Sequence, residues 1–373
     1  ATPTSIASTK SRHGKRGANP IRVVVRVRPA LRDARLVPIH AKCEPRIGHH
    51  VEVGRPHEAR HEFGIVLGPD STQHDAYLAC GVQMAGALFE GRNACLFAYG
   101  QTAAGKTFSL FGVDGGKNAS RLDGIVPQLV SELFRRKGQL EKRQLHRYNI
   151  RFSCTELHGS SLRDLLSREP EPPALKMRGD AVVGAVQEGL NSTRHLCLLL
   201  EGAMGRRTPD PHGLHAMSNR SHCFFSIFLD KIEVSSQQVV SKASALIIDL
   251  AGTEKANRDV DAATSESKGA PTNTGNLALT RVLECLASGL PYVPYRDSML
   301  TRLLRQAFEA KETSKTMLAC LQPGDDVLAE TSKVLAIADV CAQGNAPTVE
   351  GFSPERLIAA GPGASSSLGM DME

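Results

Sequence analysis

The residues with the clearest chemical potential lie at 100–107. Gly100 is followed by four residues and then by Gly105-Lys106-Thr107, shortly after the apolar run Ala94-Cys95-Leu96-Phe97-Ala98. Glycines at that spacing let the backbone curl so that successive N–H groups point inward. Lys106 can then reach terminal phosphates, and the Thr107 hydroxyl can ligate Mg2+ at the start of a helix whose dipole favours anions. Gln101, Thr102, Ala103, Ala104 and Phe108 complete the loop and its exit. The pattern predicts a cradle for a nucleoside triphosphate. Hydrolysis needs two further parts, a carboxylate near the metal and a sensor for the γ-phosphate. The stretch "ALIIDLAGTEKA" at 245–256 offers both, with Asp249 ending an apolar strand and Gly252 presenting a backbone N–H. A third stretch, "MSNRSHCFFSIFL" at 217–229, gathers Ser218, Asn219, Arg220, Ser221 and His222 ahead of another apolar strand. Taken alone it reads as a polar turn capping that strand.

These residues need a scaffold of alternating elements. Strands are expected at Ile21 to Pro29, Ala94 to Ala98, Asn149 to Glu156, Cys223 to Leu229, Ala245 to Leu250 and Thr316 to Leu321. Helical patterns lie between them, at Gln73 to Phe89, from Thr107 onward, and at Ile125 to Lys137, Thr193 to Met204, Asn276 to Ser288 and Ser298 to Phe308. Interleaving of this kind predicts an α/β fold whose single, mostly parallel central sheet is covered by helices on both faces. The polar stretch Asn257 to Thr274 reads as a long loop or a weakly capped helix start.

The chain has 373 residues, 41% of them apolar, which is enough for one large core with no disordered or membrane class required. No stretch approaches the 18 apolar residues of a membrane span, and no apolar leader opens the sequence, so a soluble intracellular protein is expected. Nine cysteines are scattered singly, which predicts reduced, packed thiols rather than disulfides or a zinc site. Net charge is +6, with "KSRHGKR" at 10–16 forming a basic arm ahead of the first strand. That arm admits a P-loop ATPase acting on nucleic acid, but a chain without Trp and with 5% aromatics lacks stacking platforms, so no nucleic acid is expected. Residues 1–20 are expected to form a flexible arm, 21–345 the folded domain, and 346–373, rich in Gly, Pro and Ser, a tail.

Together the motifs resemble the kinesin motor domain from Ile21 to about Asn345. The family's adenine-side motif is matched by Arg26-Val27-Arg28-Pro29, its phosphate loop by Gly100 to Thr107, its switch I by "SNRSH" at 218–222 and its switch II by "DLAGTE" at 249–254. "YVPYRDSMLT" at 292–301 is similar to the microtubule-facing loop and helix, "SKTMLACLQP" at 314–323 to the penultimate strand, and "ETSKVLAIA" at 330–338 to the last helix.

The resemblance implies a microtubule-stimulated ATPase with ATP/ADP and Mg2+ as cofactors, located in the cytoplasm on the microtubule cytoskeleton and not in a membrane. It implies that Lys106 and the loop amides hold phosphates, that Thr107 binds Mg2+ and Asp249 holds it through water, and that Gly252 senses the γ-phosphate. It further implies a latch between Arg220 and Glu254, and microtubule contacts from Lys255, Arg281, Tyr295, Arg296, Arg302 and Arg305. Departures point to an alternative, a catalytically weak microtubule- or partner-binding module. Asn219 stands where the family has a serine, His215 where it has an asparagine, and Met299 where it has a lysine. Ala103 and Ala104 replace a small Gly/Ser pair, a change that is tolerated if neither position needs positive φ. The spacing from Arg207 to Ser218 is similar to that of the internal-motor, microtubule-depolymerising class, whose Lys-Glu-Cys signature is absent at Thr280-Arg281-Val282.

Overall fold

Alternation along β1 (Ile21–Val27) shows why the fold needs two cores. Val23, Val25 and Val27 face one of them and Val24 the other, as expected for a strand covered on both faces. The same division recurs in β5 (Ala94–Tyr99), with Cys95, Phe97 and Tyr99 on one side and Leu96 and Ala98 on the other. The computed structural model describes residues 21–30, 39–41, 47–53, 59–112, 123–169, 172–207, 221–254, 270–324 and 327–343.

At the centre of the sheet β5 lies between β12 (Val239–Asp249) and β13 (Ser314–Leu321), and β13 lies in turn against β1, all in parallel. β4 (Ala59–Leu67) continues the parallel set beside β1. Antiparallel strands extend both flanks of this centre. Beyond β12 come β11 (Ser221–Glu233), β6 (His146–His158) and the two-residue β10 (Glu188–Gly189), with β7 (Ser161–Asp164) also on β6. Beyond β4 come β3 (Ile47–Val53) and β2 (Ile39–Ala41). A separate hairpin joins β8 (Lys176–Arg178) to β9 (Ala181–Val183).

Helices cover both faces. On one face α1 (Gln73–Phe89), α2 (Lys106–Phe111), α3 (Ile125–Glu141) and α4 (Thr193–Gly205) bury Leu88, Phe111, Leu129 and Leu200. On the other, α5 (Ala270–Ala287), α6 (Met299–Glu309) and α7 (Leu328–Ala342) bury Leu283, Leu304 and Leu335. An aromatic pair pins each face, Phe111 with Phe225 at 4.6 Å between centroids and Phe97 with Phe308 at 5.5 Å.

The parallel centre and the two helical layers agree with the sequence reading; strands β2, β3, β4 and β7 to β10 were not anticipated. Eight cysteines fall among the described residues and all are free. Seven are buried, and burial pushes the Cys80 and Cys95 thiols up to about 12, so they behave as small apolar groups. No described helix is long and apolar enough to cross a membrane.

Register places the chemistry. Asp249 pairs with Ala98 across parallel strands, so the loops leaving β5 and β12 emerge side by side at the carboxyl end of the sheet. The first continues into α2 on one face and the second leads toward α5 on the other. The crevice between such diverging connections is where open α/β sheets bind ligands.

Candidate active site

The phosphate loop departs from ordinary backbone at three positions: Gly100 has φ 151°, Ala103 60° and Gly105 96°. Gly100 is required sterically as well, because a Cβ there would overlap the carbonyl oxygen of Cys320 on β13. At Ala103 the condition for an unstrained replacement, that the position does not need positive φ, is not met. A left-handed alanine costs about 1–2 kcal/mol, which the loop absorbs. Its carbonyl accepts a 2.5 Å hydrogen bond from Arg28 Nη1, fastening the strained corner to the end of β1.

Lys106 is 4% exposed and donates to the carbonyls of Gly100 and Gln101, 2.8 Å each. Burial lowers its pKa, and the nearby Asp249 carboxylate opposes that shift. Thr107 donates from Oγ1 to Asp249 Oδ2 at 2.8 Å. The other oxygen, Asp249 Oδ1, is buried and finds no hydrogen-bond partner among the described residues. A buried carboxylate oxygen left in this way, beside a threonine hydroxyl and a buried ammonium, is the donor set a hydrated Mg2+ and phosphates require.

Behind Asp249 stands a buried charge relay that the sequence reading missed. Arg207, at the end of α4, approaches Asp249 Oδ2 at 3.3 Å and Glu156 Oε1 at 3.8 Å, and donates at 3.3 Å to the carbonyl and hydroxyl of Ser221. Ser221 Oγ donates in turn to Glu156 at 2.7 Å. Burial works against the Arg207 charge, yet the surrounding anionic groups outweigh it and raise its pKa. A glutamate inside the strand segment "FSCTEL" of β6 was the one available signal, since Glu156 is fully buried and so must be paired. Nothing in the Arg206-Arg207 doublet distinguished the relay arginine from its neighbour.

The 249–254 stretch is tied to the phosphate loop at two points and to α5 and β11 at two more. Thr253 N–H donates to Gly100 O at 3.3 Å, and Asn276 of α5 donates to Gly252 O at 2.7 Å. His222 Nδ1 accepts from Ala251 N–H at 3.1 Å. Glu254 accepts from both the N–H and the hydroxyl of Thr102, the former at 2.8 Å.

A cleft of about 550 Å³ runs from the loop past Arg28, Pro29, Pro69 and Phe108. Arg26 lines it but is 7% exposed and committed to protein partners, Gln73 Oε1 at 2.6 Å and Ser109 Oγ at 2.9 Å, with its guanidinium 5.3 Å from the Phe108 ring centroid. Phe108 is 44% exposed. Ser218, Asn219, Arg220 and Lys255 lie outside the described residues, as does His215.

The residues expected to meet a microtubule divide sharply. Arg281 and Arg296 are exposed. Tyr295 is a correction: at 3% exposure it belongs to the core, where its ring lies 5.9 Å from the Arg305 guanidinium, and it cannot present a face to a partner. Arg305 is held by Asp180 at 3.3 Å and Glu309 at 3.0 Å, and Arg302 donates to the Gly179 carbonyl at 3.3 Å.

A glycine-shaped loop behind a central parallel strand, a threonine paired with a strand-end aspartate, and a buried lysine between them define a P-loop nucleotide-binding protein. The family model described as "Kinesin motor domain" matches residues 26–343, and the chain belongs to that family. It is similar to Kinesin-like protein KIF27 of Homo sapiens, at 30% identity over 360 residues, covering 90% of this chain and 25% of that protein. Chromosome-associated kinesin KIF4A of Homo sapiens is 29% identical over 335 residues, covering 86% and 26%. Kinesin-like protein KIF18B of Homo sapiens is 34% identical over 289 residues, covering 74% and 32%. The chain therefore spans about a quarter to a third of the length of these relatives. A solved structure of a fast kinesin, described with its ATPase mechanism and interactions with microtubules, superposes with a TM-score of 0.74 at 25% identity, covering 87% of this chain and 91% of that chain.

Proposed function

We propose that this chain is a microtubule-binding motor domain that hydrolyses ATP to move along or remodel microtubules in the cytoplasm. The observation that carries the reading is the Lys106, Thr107 and Asp249 constellation, held at the carboxyl ends of adjacent parallel strands with one Asp249 oxygen left without a partner among the described residues. Lys106 and the loop amides would hold the β- and γ-phosphates, with Thr107 and Asp249 holding the metal. Mg2+ bound there would neutralise charge on the phosphate oxygens. Arg207 fixes the Asp249 carboxylate from behind, so that its orientation is set before a nucleotide arrives. Gly252 and Glu254 lie against the loop through Thr253 and Thr102, where they can register a γ-phosphate. Arg28, Pro29 and Phe108 form the walls suited to the base, while Arg26 supports Phe108 from beneath. The solved relative's described interactions with microtubules, together with exposed Arg281 and Arg296, support the partner.

A second reading, a nucleotide-gated binding module with slow hydrolysis, draws on the strained Ala103 and on Asn219 in place of a serine. Steady-state phosphate release with and without stabilised microtubules at low salt separates the two. Stimulation of 10-fold or more, about 1.4 kcal/mol off the barrier, is expected for an active motor. No stimulation, with ATP bound and Asn219→Ser faster than the parent, would establish the binding module.

A further inference from the structure

Thr102 was expected to line the nucleotide, yet its hydroxyl points to switch II. Its N–H donates to Glu254 Oε2 at 2.8 Å and its Oγ1 donates to Oε1, so one residue holds both oxygens of one carboxylate. Ionised acceptors make the stronger class of hydrogen bond, and two-point capture removes the rotation about the last side-chain bond that a single contact leaves free. The space beneath the pair is reserved for it, because a Cβ at Gly252 would overlap Thr102 Oγ1 and both Glu254 oxygens. The neighbouring residue on the loop, Ala103, is the strained one, and Arg28 clamps its carbonyl from the other side. The corner that carries Thr102 is thus fixed to β1, while its two donors face switch II.

We infer that Thr102 is a positioning residue for Glu254. It joins the phosphate loop to switch II, so that a change in the loop at the γ-phosphate end is passed to the Glu254 carboxylate without an intervening rearrangement. The inference rests on the ATP-hydrolysing reading of the same site and assigns the hydroxyl a task other than nucleotide contact. A side chain at 252 would displace the Thr102–Glu254 pair.

The test is a double-mutant cycle of Thr102→Val, Glu254→Gln and both together, with Thr102→Ser as the conservative rescue. Two readouts are followed, turnover of ATP and the ratio of affinities for a fluorescent non-hydrolysable ATP analogue and fluorescent ADP. Thr102→Val is expected to lower kcat about 10-fold, equivalent to about 1.4 kcal/mol, with KM for ATP rising as triphosphate affinity falls. The preference for the triphosphate analogue over ADP is expected to fall by a comparable factor while ADP affinity holds. Thr102→Ser should restore both readouts, and in the Glu254→Gln background Thr102→Val should change little. Additive effects, equal loss of both nucleotides, or failure of Ser to rescue would overturn the inference and leave Thr102 as loop packing. A parent that binds nucleotide but does not hydrolyse it would overturn the ATPase reading, while the affinity ratio alone would still decide the role of Thr102. A parent that binds neither nucleotide would overturn both.

Discussion

His222 shows how a single buried group ties stability to acidity. Its Nδ1 accepts the Ala251 N–H, which requires the neutral ring, and burial beside Arg207 and Lys106 pushes its pKa down to about 3. The unfolded chain takes up this proton near the ordinary value of about 6.5, so stability is complete above that pH and is lost as pH falls toward 3. Urea unfolding is expected to give a free energy lower by about 1.4 kcal/mol at pH 5.5 than at pH 7.5 from this residue alone. His222→Asn, which keeps an acceptor for Ala251 without the titration, should remove that component of the slope. An unchanged slope would place the acid sensitivity elsewhere. At this scale the sequence displayed Lys106, Thr107 and Asp249 because their spacing along the chain is itself the signal. Arg207, Glu156 and the turn of Thr102 toward Glu254 stayed hidden because each partner comes from a distant segment: the register of β6, β11 and β12 brings Glu156 beside Asp249, and that of β5 and β12 brings Thr102 to Glu254.

α1 was readable to its boundaries because its start signal is local. Thr72 and Asp75 form a capping box, with the Thr72 hydroxyl accepting the Asp75 N–H at 3.1 Å and the Asp75 carboxylate accepting the Thr72 N–H at 2.8 Å. The first turn also reaches the cleft, since Gln73 accepts from Arg26 at 2.6 Å and donates to the Phe108 carbonyl at 2.6 Å. Thr72→Ala should cost about 1 kcal/mol of stability and also weaken ATP binding measurably. Ser192→Ala, which removes the cap of α4 far from those bonds, should cost a similar amount and leave ATP binding unchanged. Equal effects of the two variants on binding would mean that the Gln73 bridge does not depend on its cap. Strands β3 and β4 gave no comparable signal. "IGHHVEV" places two histidines in mid-strand, and "ARHEFGIVL" starts polar and carries a glycine, so their strand character comes from pairing with β1 and with each other.

At the scale of the molecule, the face formed by α5, α6 and the β8–β9 hairpin is less basic than its arginine count suggests. Asp180 holds Arg305, and Gly179 accepts from Arg302, so the hairpin takes up charge that would otherwise point outward. Asp180→Asn is expected to raise microtubule affinity about 2- to 5-fold at low salt, with the gain disappearing as ionic strength rises. Co-sedimentation across a salt series measures both, and an affinity equal to the parent at every salt concentration would show that this hairpin stands clear of the filament.

The position of β13 also governs the order in which the molecule can be built. β5, which leads into the phosphate loop, has β12 and β13 as its two sheet neighbours, and β13 is also the strand against which β1 packs. Roughly 200 residues separate β5 from β13. At about 5–20 residues per second, a ribosome needs roughly 10–40 s to pass from one to the other. Throughout that interval the central strands β1 and β5 wait without the partner that joins them, the situation in which unpaired edges recruit chaperones or aggregate. A chain cut short anywhere before Leu321 lacks part of the strand that closes its own centre.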